Sequence, residues 1–390
     1  MIPEDVLERA KGLLKRYPVC DHCLGRAFLE VDGKNNEERG RKIREVLGVK
    51  KTEPENCYFC MGIFGKLEDY VEAAEREMMG LVFRTFRVGT HVPAEIIARE
   101  EEMWEIVGVK NTETIKKHVN REVGKILKKR TGKEYDPENP DVDIIIDVER
   151  DNVIAKPNPV YLYGRYRKLS EMPQSKWPCE YCGGKGCERC GYTGRAKKET
   201  VEYCMADVLL GITGGEETKL HAAGREDADI LVLGTGRPFV IEIVSPRIRY
   251  DDWEWAREEI NKHCEGRMEV LCLRPVERRA VRELKSTQIL QTYRVVVRCG
   301  KAGEKTLDGL KDLGGRTVFY GVKKPRRKIL YINWEPGGED EIALYITCEQ
   351  GFPIRQFIEG KTKPSLPEAL GEHCKIIRID IVDVHGGEPC

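Results

Sequence analysis

The chain has 390 residues, 40% hydrophobic and 34% charged, a balance that fits a folded protein of two or three domains and excludes a disordered polymer. Lysine plus arginine number 66, as do aspartate plus glutamate, so any grip on nucleic acid must come from local clustering of cations, not from net charge. No apolar run approaches the ~20 residues that a membrane-spanning helix needs.

The first segment, MIPEDVLERAKGLLKRY, sets Val6, Ala10, Leu13, Leu14 and Tyr17 at helical spacing. It is read as a folded amphipathic helix, not an export signal. Of fifteen cysteines, eight fall in four Cys-x-x-Cys pairs, which favours metal binding in a reducing cytoplasm over a disulfide framework. Cys20 with Cys23 and Cys57 with Cys60 are the first two pairs. Each presents two thiolates from a tight turn, and two such turns complete a tetrahedral zinc site. A helix is predicted over 37–47 between them, and residues 1–62 form a zinc-stapled region.

Residues 63–157 alternate in pattern. A strand is predicted over 80–86 and helices over 95–107 and 112–131. The second helix gathers Ile115, Val119, Val123, Ile126 and Leu127 on one face and carries Lys116, Lys117, Arg121, Lys125, Lys128, Lys129 and Arg130. A strand is predicted within Asn139–Val148, and Ala155–Pro159 reads as a linker.

The second half opens on VYLYGRYRK, where Tyr161, Tyr163 and Tyr166 interleave with Arg165, Arg167 and Lys168. That alternation suits a nucleic-acid surface, though an amphipathic edge strand would look similar. Cys179, Cys182, Cys187 and Cys190 then form a second four-thiolate set, with glycines that permit the tight turns. The other seven cysteines (Cys204, Cys264, Cys272, Cys299, Cys348, Cys374 and Cys390) are read as ordinary thiols. Arg225-Glu226-Asp227 precedes two apolar runs, 230–233 and 239–244, separated by Gly234-Thr235-Gly236. These read as strand, turn and strand, with Asp227 at a sheet edge, where catalytic side chains are commonly mounted. Neither a dinucleotide fingerprint nor a Gly-x-x-x-x-Gly-Lys loop is present. Further on come a predicted helix over 251–264, a strand over 268–273 and another over 289–297 that contains Tyr293. A proline-punctuated basic loop follows at 323–328, then a strand over 344–351 and, after it, Arg355.

GREDADILVLGTGRPFVIEI is similar to the catalytic segment of the tenth pseudouridine-synthase family, whose members act on the tRNA T loop. CDHCLGRAF with NNEERGRKIR, Tyr-Gly-Arg-Tyr with Gln174–Trp177, Thr292-Tyr293-Arg294 and Phe352–Ile358 resemble other motifs of the same family. The basic helix followed by the Asn-Pro-Asp strand resembles the end of a THUMP domain. The resemblance implies an α+β protein. An N-terminal zinc-stapled region (1–62) and a THUMP-like RNA-binding domain (63–157) would precede a catalytic domain (158–390), built on a mixed, mainly antiparallel sheet with a zinc insertion at 179–194. It implies that uridines 54 and/or 55 are isomerised to pseudouridine. Asp227 would be the catalytic carboxylate, Arg355 its cationic neighbour, and Tyr293 would stack on the uracil and relay a proton. RNA would be held by Arg225, Arg165, Lys168, Lys323, Lys324, Arg326, Arg327, Lys125 and Lys128. Two structural zinc ions, no organic cofactor, a tRNA partner met through its T loop and arm, no membrane contact and a monomeric cytoplasmic enzyme complete the expectation. The chain departs from the family pattern at Leu231, where a basic residue is usual, and at Pro353, where a tyrosine is. Two alternatives make different demands. A non-catalytic zinc-containing RNA adaptor would leave Asp227, Tyr293 and Arg355 scattered. Another THUMP-bearing tRNA-modifying enzyme would need a strand, glycine-rich turn and helix for its donor.

Overall fold

Local signals set the helices of the first half. A computed structural model describes residues 2–196, 199–300, 304–321, 325–338 and 340–390, and the chain divides into two units, Met1–Asn158 and Pro159–Cys390. In the first, α1 (Glu4–Arg16) buries Val6, Ala10 and Leu13. Next come α2 (Asp21–Arg26) and α3 (Asn36–Leu47), the latter capped by Asn35, whose side chain accepts from the Glu38 N–H. These two helices cross at Gly25 and Gly40, where a Cβ would collide with the backbone carbonyls of Asn36 and Asp21. Then follow α4 (Leu67–Glu77), β1 (Thr85–His91), α5 (Ala94–Val107), α6 (Ile115–Thr131), β2 (Glu134–Tyr135), β3 (Val142–Asp147) and β4 (Asn152–Pro157). The sheet order is β2-β1-β3-β4, with only β3 and β4 antiparallel. The strand expected over 80–86 is displaced to Thr85–His91. There Phe86 and Val88 alternate inward, whereas consecutive Leu81, Val82 and Phe83 do not alternate and Val82 is 52% exposed.

The second unit runs β5 (Val160–Lys168), α7 (Val201–Thr213), β6 (Glu217–Ala222), β7 (Leu231–Val244), α8 (Glu254–His263), β8 (Met268–Val276), α9 (Arg279–Ser286) and β9 (Leu290–Arg298). It continues with α10 (Glu304–Asp308), β10 (Thr317–Tyr320), β11 (Arg326–Pro336), β12 (Glu341–Glu349), α11 (Ile354–Ile358), β13 (Thr362–Lys363), α12 (Leu366–Leu370) and β14 (Lys375–His385). All these strands form one sheet in the order β13-β10-β11-β12-β9-β14-β7-β5-β8, with β6 also on β7. Its pairings are antiparallel except β7 with β14. One face packs under α7 and α8, the other under α9, α11 and α12. Among the described residues no helix is long and apolar enough to cross a membrane.

Two expectations fail here. Residues 231–244 are one strand, not a strand, a turn and a second strand. Leu231 and Val232 pair with β14, and 237–243 pair with β5, so the two runs never face each other as a hairpin requires. Gly234-Thr235-Gly236 is instead a bulge: Val232 lies opposite Lys168 and Arg237 opposite Tyr166. Nor are all seven scattered cysteines thiols. Cys272 is bonded to Cys390 and Cys299 to Cys374. The adjacency of β9 and β14, with Arg298 opposite Lys375, brings the latter pair together, and no local spacing signals it. Cys204, Cys264 and Cys348 are free and buried.

Candidate active site

The loop 223–230 leaves β6 and enters β7 where the edge of β7 changes partner, from β6 along 239–244 to β14 at 231–232. The loop therefore fills a split in the sheet. Glu226 turns inward and is sealed. Its carboxylate meets the Arg237 Nε at 2.8 Å, accepts from the Tyr166 hydroxyl at 2.7 Å and from the Gln174 amide at 3.1 Å. Arg237 also donates to the Ala223 carbonyl and to Gln291 Oε1, and Gln174 to the Gly224 carbonyl. Burial works against the Arg237 charge, yet Glu226 holds its pKa above the usual arginine value. Burial, reinforced by Glu226, pushes the Tyr166 phenol well up. Tyr166, Gln174 and Arg237 all act on the loop that carries Asp227.

Asp227 itself points outward, its side chain 66% exposed. In α11, Ile354, Phe357 and Ile358 are buried, which leaves Arg355 free to reach across. Its Nε donates to Asp227 Oδ2 at 3.1 Å and its Nη2 to Asp229 Oδ2 at 2.5 Å. Burial opposes the Arg355 charge, and the two carboxylates outweigh it and raise the pKa. Tyr293, in β9, is 5% exposed. Burial first, then Cys348, raises its phenol pKa, Arg237 opposes, and Glu226 and Asp227 add to the rise. The phenol is therefore protonated at neutral pH, and Tyr293 shares an apolar cluster with Ile230, the residue that ends the Asp227 loop. The arrangement offers an exposed carboxylate braced by a guanidinium, with a phenol in the apolar cluster that seats the end of its loop.

The other expected site residues have different fates. Arg225 is exposed beside Asp227. Arg165 and Lys168 cannot meet phosphate as expected, because both are buried. Arg165 donates to the carbonyls of Thr235, Gly236, Val384, Gly386 and Glu388 and so ties the bulge of β7 to the end of β14 and the segment after it. Lys168 donates to the carbonyls of Met172, Asp227 and Ala228 at 2.9–3.1 Å, and burial lowers its pKa. The alternation in β5 is the signature of a sheet strand whose cations satisfy backbone oxygens. Arg326 and Arg327 begin β11, opposite Phe319 and Val318, and not a loop; Arg327 donates to the Gln350 carbonyl. Lys323 and Lys324 lie outside the described residues. Lys125 and Lys128 are exposed on α6 and pair with Glu122 at 3.5 Å and Glu134 at 2.5 Å. The sequence reading gave no role to Glu226, Asp229, Gln174 or Arg237; the available signal for Arg237 was a charge set between two apolar runs, 230–233 and 239–244.

Two cysteine tetrads can hold metal. Cys20, Cys23, Cys57 and Cys60 are all buried, and Cys179, Cys182, Cys187 and Cys190 are more open; within each set the sulfurs lie within 4.8 Å of one another. The Cys20–Cys60, Cys179–Cys187, Cys182–Cys190 and Cys187–Cys190 separations are 3.8, 3.9, 4.0 and 3.7 Å. A tetrahedron with metal–sulfur bonds of ~2.3 Å has edges of ~3.8 Å. Backbone N–H groups of Cys20, Gly186 and Gly194 donate to Cys57, Cys182 and Cys190 sulfurs, as a thiolate charge requires. Four sulfurs leave no open position for chemistry.

The family model described as Pus10 THUMP domain, archaeal, matches residues 70–147, and that described as Pus10, C-terminal, matches residues 161–319. The curated relatives show the chain to be a pseudouridine synthase. It is 33% identical to the tRNA pseudouridine synthase Pus10 of Methanothrix thermoacetophila, over 100% of this chain and 96% of that protein. It is 35% identical to that of Methanothermobacter marburgensis, over 99% and 100%, and 33% identical to that of Pyrococcus furiosus, over 97% and 98%. The chain belongs to the Pus10 family of tRNA pseudouridine synthases. Among solved structures, a Cbf5-Nop10-Gar1 complex aligns over 56% of this chain and 48% of its own at 12% identity, with a TM-score of 0.31.

Proposed function

We propose that the protein isomerises T-loop uridine of tRNA, at position 54, 55 or both, to pseudouridine, with Asp227 as the catalytic carboxylate. The observation that carries this is the contact of Asp227 with Arg355, from a segment 128 residues away, in a split of the sheet. Isomerisation breaks the N1–C1′ bond, turns the uracil and rejoins it through C5. The exposed carboxylate meets the ribose or base of a flipped-out nucleotide, whose unstacking costs a few kcal/mol. Arg355 orients Asp227 and offsets its charge, while Asp229 fixes the second arm of the guanidinium. Tyr293 is assigned to stack on the uracil and relay a proton at C5, and its protonated phenol supports the relay. Arg225 meets the RNA beside the flipped base, and Arg326 and Arg327 grip it from β11 together with Lys323 and Lys324. Lys125 and Lys128 contact phosphate from α6, which positions the RNA without reading its sequence. Lys168 holds the Asp227 backbone in place.

The domain reading is a zinc-stapled region (1–62), a THUMP-like RNA-binding domain (63–157) and a catalytic domain (158–390) with a zinc insertion at 179–194. The all-sulfur donor sets support zinc in both tetrads, with structural roles. The enzyme is further proposed to act as a monomer in the cytoplasm, a compartment with which disulfides are compatible in hyperthermophiles.

The test incubates purified protein with an unmodified tRNA transcript and maps pseudouridine by carbodiimide adducts and primer extension. Asp227→Ala is expected to abolish product while transcript affinity stays within a few-fold. Full activity in that variant would remove Asp227 from the chemistry.

A further inference from the structure

On the sheet face that carries Tyr293, a second cationic feature stands apart from the residues given a part in the isomerisation. α9 reads RAVRELKS, and it packs Ala280, Val281 and Leu284 onto the same apolar cluster as Tyr293. The residues between them, and Arg278 just before the helix, are left on its exposed flank. Arg278, Arg282 and Lys285 fall at i, i+4 and i+7, so they share one side of the helix and form a row ~10 Å long. Facing them, adjacent positions of β5, β7 and β6 present Tyr161, Glu242 and Lys219, with His221 alongside. Helix and strands flank an open groove of about 840 Å³.

The charges in this groove do not cancel. Glu242 is the one carboxylate among its described lining residues, and it is already shared by His221 at 3.3 Å and Lys219 at 3.8 Å. Arg279 is paired with Glu277 at 3.0 Å. Arg278, Arg282 and Lys285 have no ion-pair or hydrogen-bond partner among the described residues. Three unpaired cations in a row fit successive phosphates of a chain better than one compact anion. The groove is also remote from the chemistry. Tyr161 lies seven residues along β5 from Lys168, which holds the Asp227 carbonyl, a span of ~23 Å at ~3.3 Å per residue.

We infer that the groove between α9 and the β5–β6–β7 end of the sheet binds the sugar–phosphate backbone of the RNA substrate, away from the reacting nucleotide. This rests on the proposed tRNA activity and adds to it a holding surface that none of the motif residues supplies. Arg278, Arg282 and Lys285 engage phosphates, and Tyr161 and His221 form the wall against the sugar. Contacts of this kind position the RNA and carry no sequence information.

The experiment compares wild type with two full-length triple variants, Arg278→Glu/Arg282→Glu/Lys285→Glu and Arg278→Gln/Arg282→Gln/Lys285→Gln. Filter binding of an unmodified tRNA transcript is measured across a potassium chloride series, and single-turnover pseudouridine formation at saturating enzyme. The Glu variant is expected to bind at least tenfold more weakly and the Gln variant several-fold. In both, the slope of log K against log salt falls by about 2–3, the loss of three phosphate contacts at ~0.7–0.9 each. The saturated single-turnover rate stays within twofold. Thermal melts matching wild type show that both variants fold. If wild type makes pseudouridine and the folded variants keep wild-type affinity and salt slope, the groove does not hold RNA, while the assignment of activity stands. Wild type that neither binds nor modifies the transcript would overturn the assignment of activity itself, and this inference with it.

Discussion

Glu226 and Asp227 are consecutive, yet one is sealed beneath the loop and the other faces solvent. The sealed one sets the position of the other. Glu226 and Arg237 have fully buried side chains, so removing one partner strands the remaining charge in a medium that cannot solvate it. Such losses cost about 3–5 kcal/mol, whereas an apolar replacement of both partners is far milder. Arg237→Met is therefore expected to lower stability by about 3 kcal/mol in urea denaturation. Glu226→Gln/Arg237→Met should regain part of that stability without regaining wild-type activity, because the Ala223 carbonyl at the start of the loop loses its tie to Arg237. A fully additive double variant would show that the two residues are not coupled. At this scale the sequence revealed the triplet but not which acid turned inward. The interleaved cations of β5 misled for a related reason: residue order does not distinguish an arginine facing phosphate from one satisfying five carbonyls.

Periodicity made the helices legible at the scale of elements, and adjacency in the sheet undid the reading of β7. Gly234 and Gly236 have φ of 56° and 71°, which suits a hairpin turn as well as a bulge. What decides between them is β14, supplied by the last segment of the chain. α6 shows the converse, a helix read correctly that hides a chemical liability. His118 is buried with neither ring nitrogen hydrogen-bonded, packed against Phe64 and His22. Burial first, then the nearby Arg121, lowers its pKa to about 2. Because the folded value lies below the unfolded value of ~6.5, the stability this neutral ring contributes is complete above pH 6.5. It is lost progressively as the pH falls toward 2, at ~1.4 kcal/mol per unit. Between pH 7 and pH 5 His118 should thus account for about 2 kcal/mol of destabilisation. His118→Phe is expected to flatten the fall of Tm over that range in matched metal buffers. Parallel Tm–pH curves for the two proteins would mean that the ring is solvated or bonded in solution.

Across the whole molecule, the cysteines divide by what brings them together. Pairs set by local turns were readable from spacing, while Cys272 with Cys390 and Cys299 with Cys374, 118 and 75 residues apart, depend on the strand order of the large sheet. The two tetrads differ in turn. Cys20, Cys23, Cys57 and Cys60 sit inside the apolar cluster of the first unit, among α1, α2 and α3, so metal there is part of the core. The second set lies in an excursion between β5 and α7, with three of its four cysteines only partly buried and outside the two apolar clusters of the sheet. Structural zinc contributes ~10–16 kcal/mol to small domains that depend on it, so the two sites should fail differently. Native mass spectrometry is expected to count two metal ions per chain, and a chelator to remove the second-tetrad ion first. Cys182→Ala should lose one ion and retain most of the far-ultraviolet dichroism. Cys23→Ala should lose one ion and unfold the first unit, read as a large fall in helical signal and rapid proteolysis before residue 158. A Cys23→Ala chain that kept its helical signal and protease resistance would show that the first unit is held by its apolar core alone, and that the buried tetrad is dispensable to the fold.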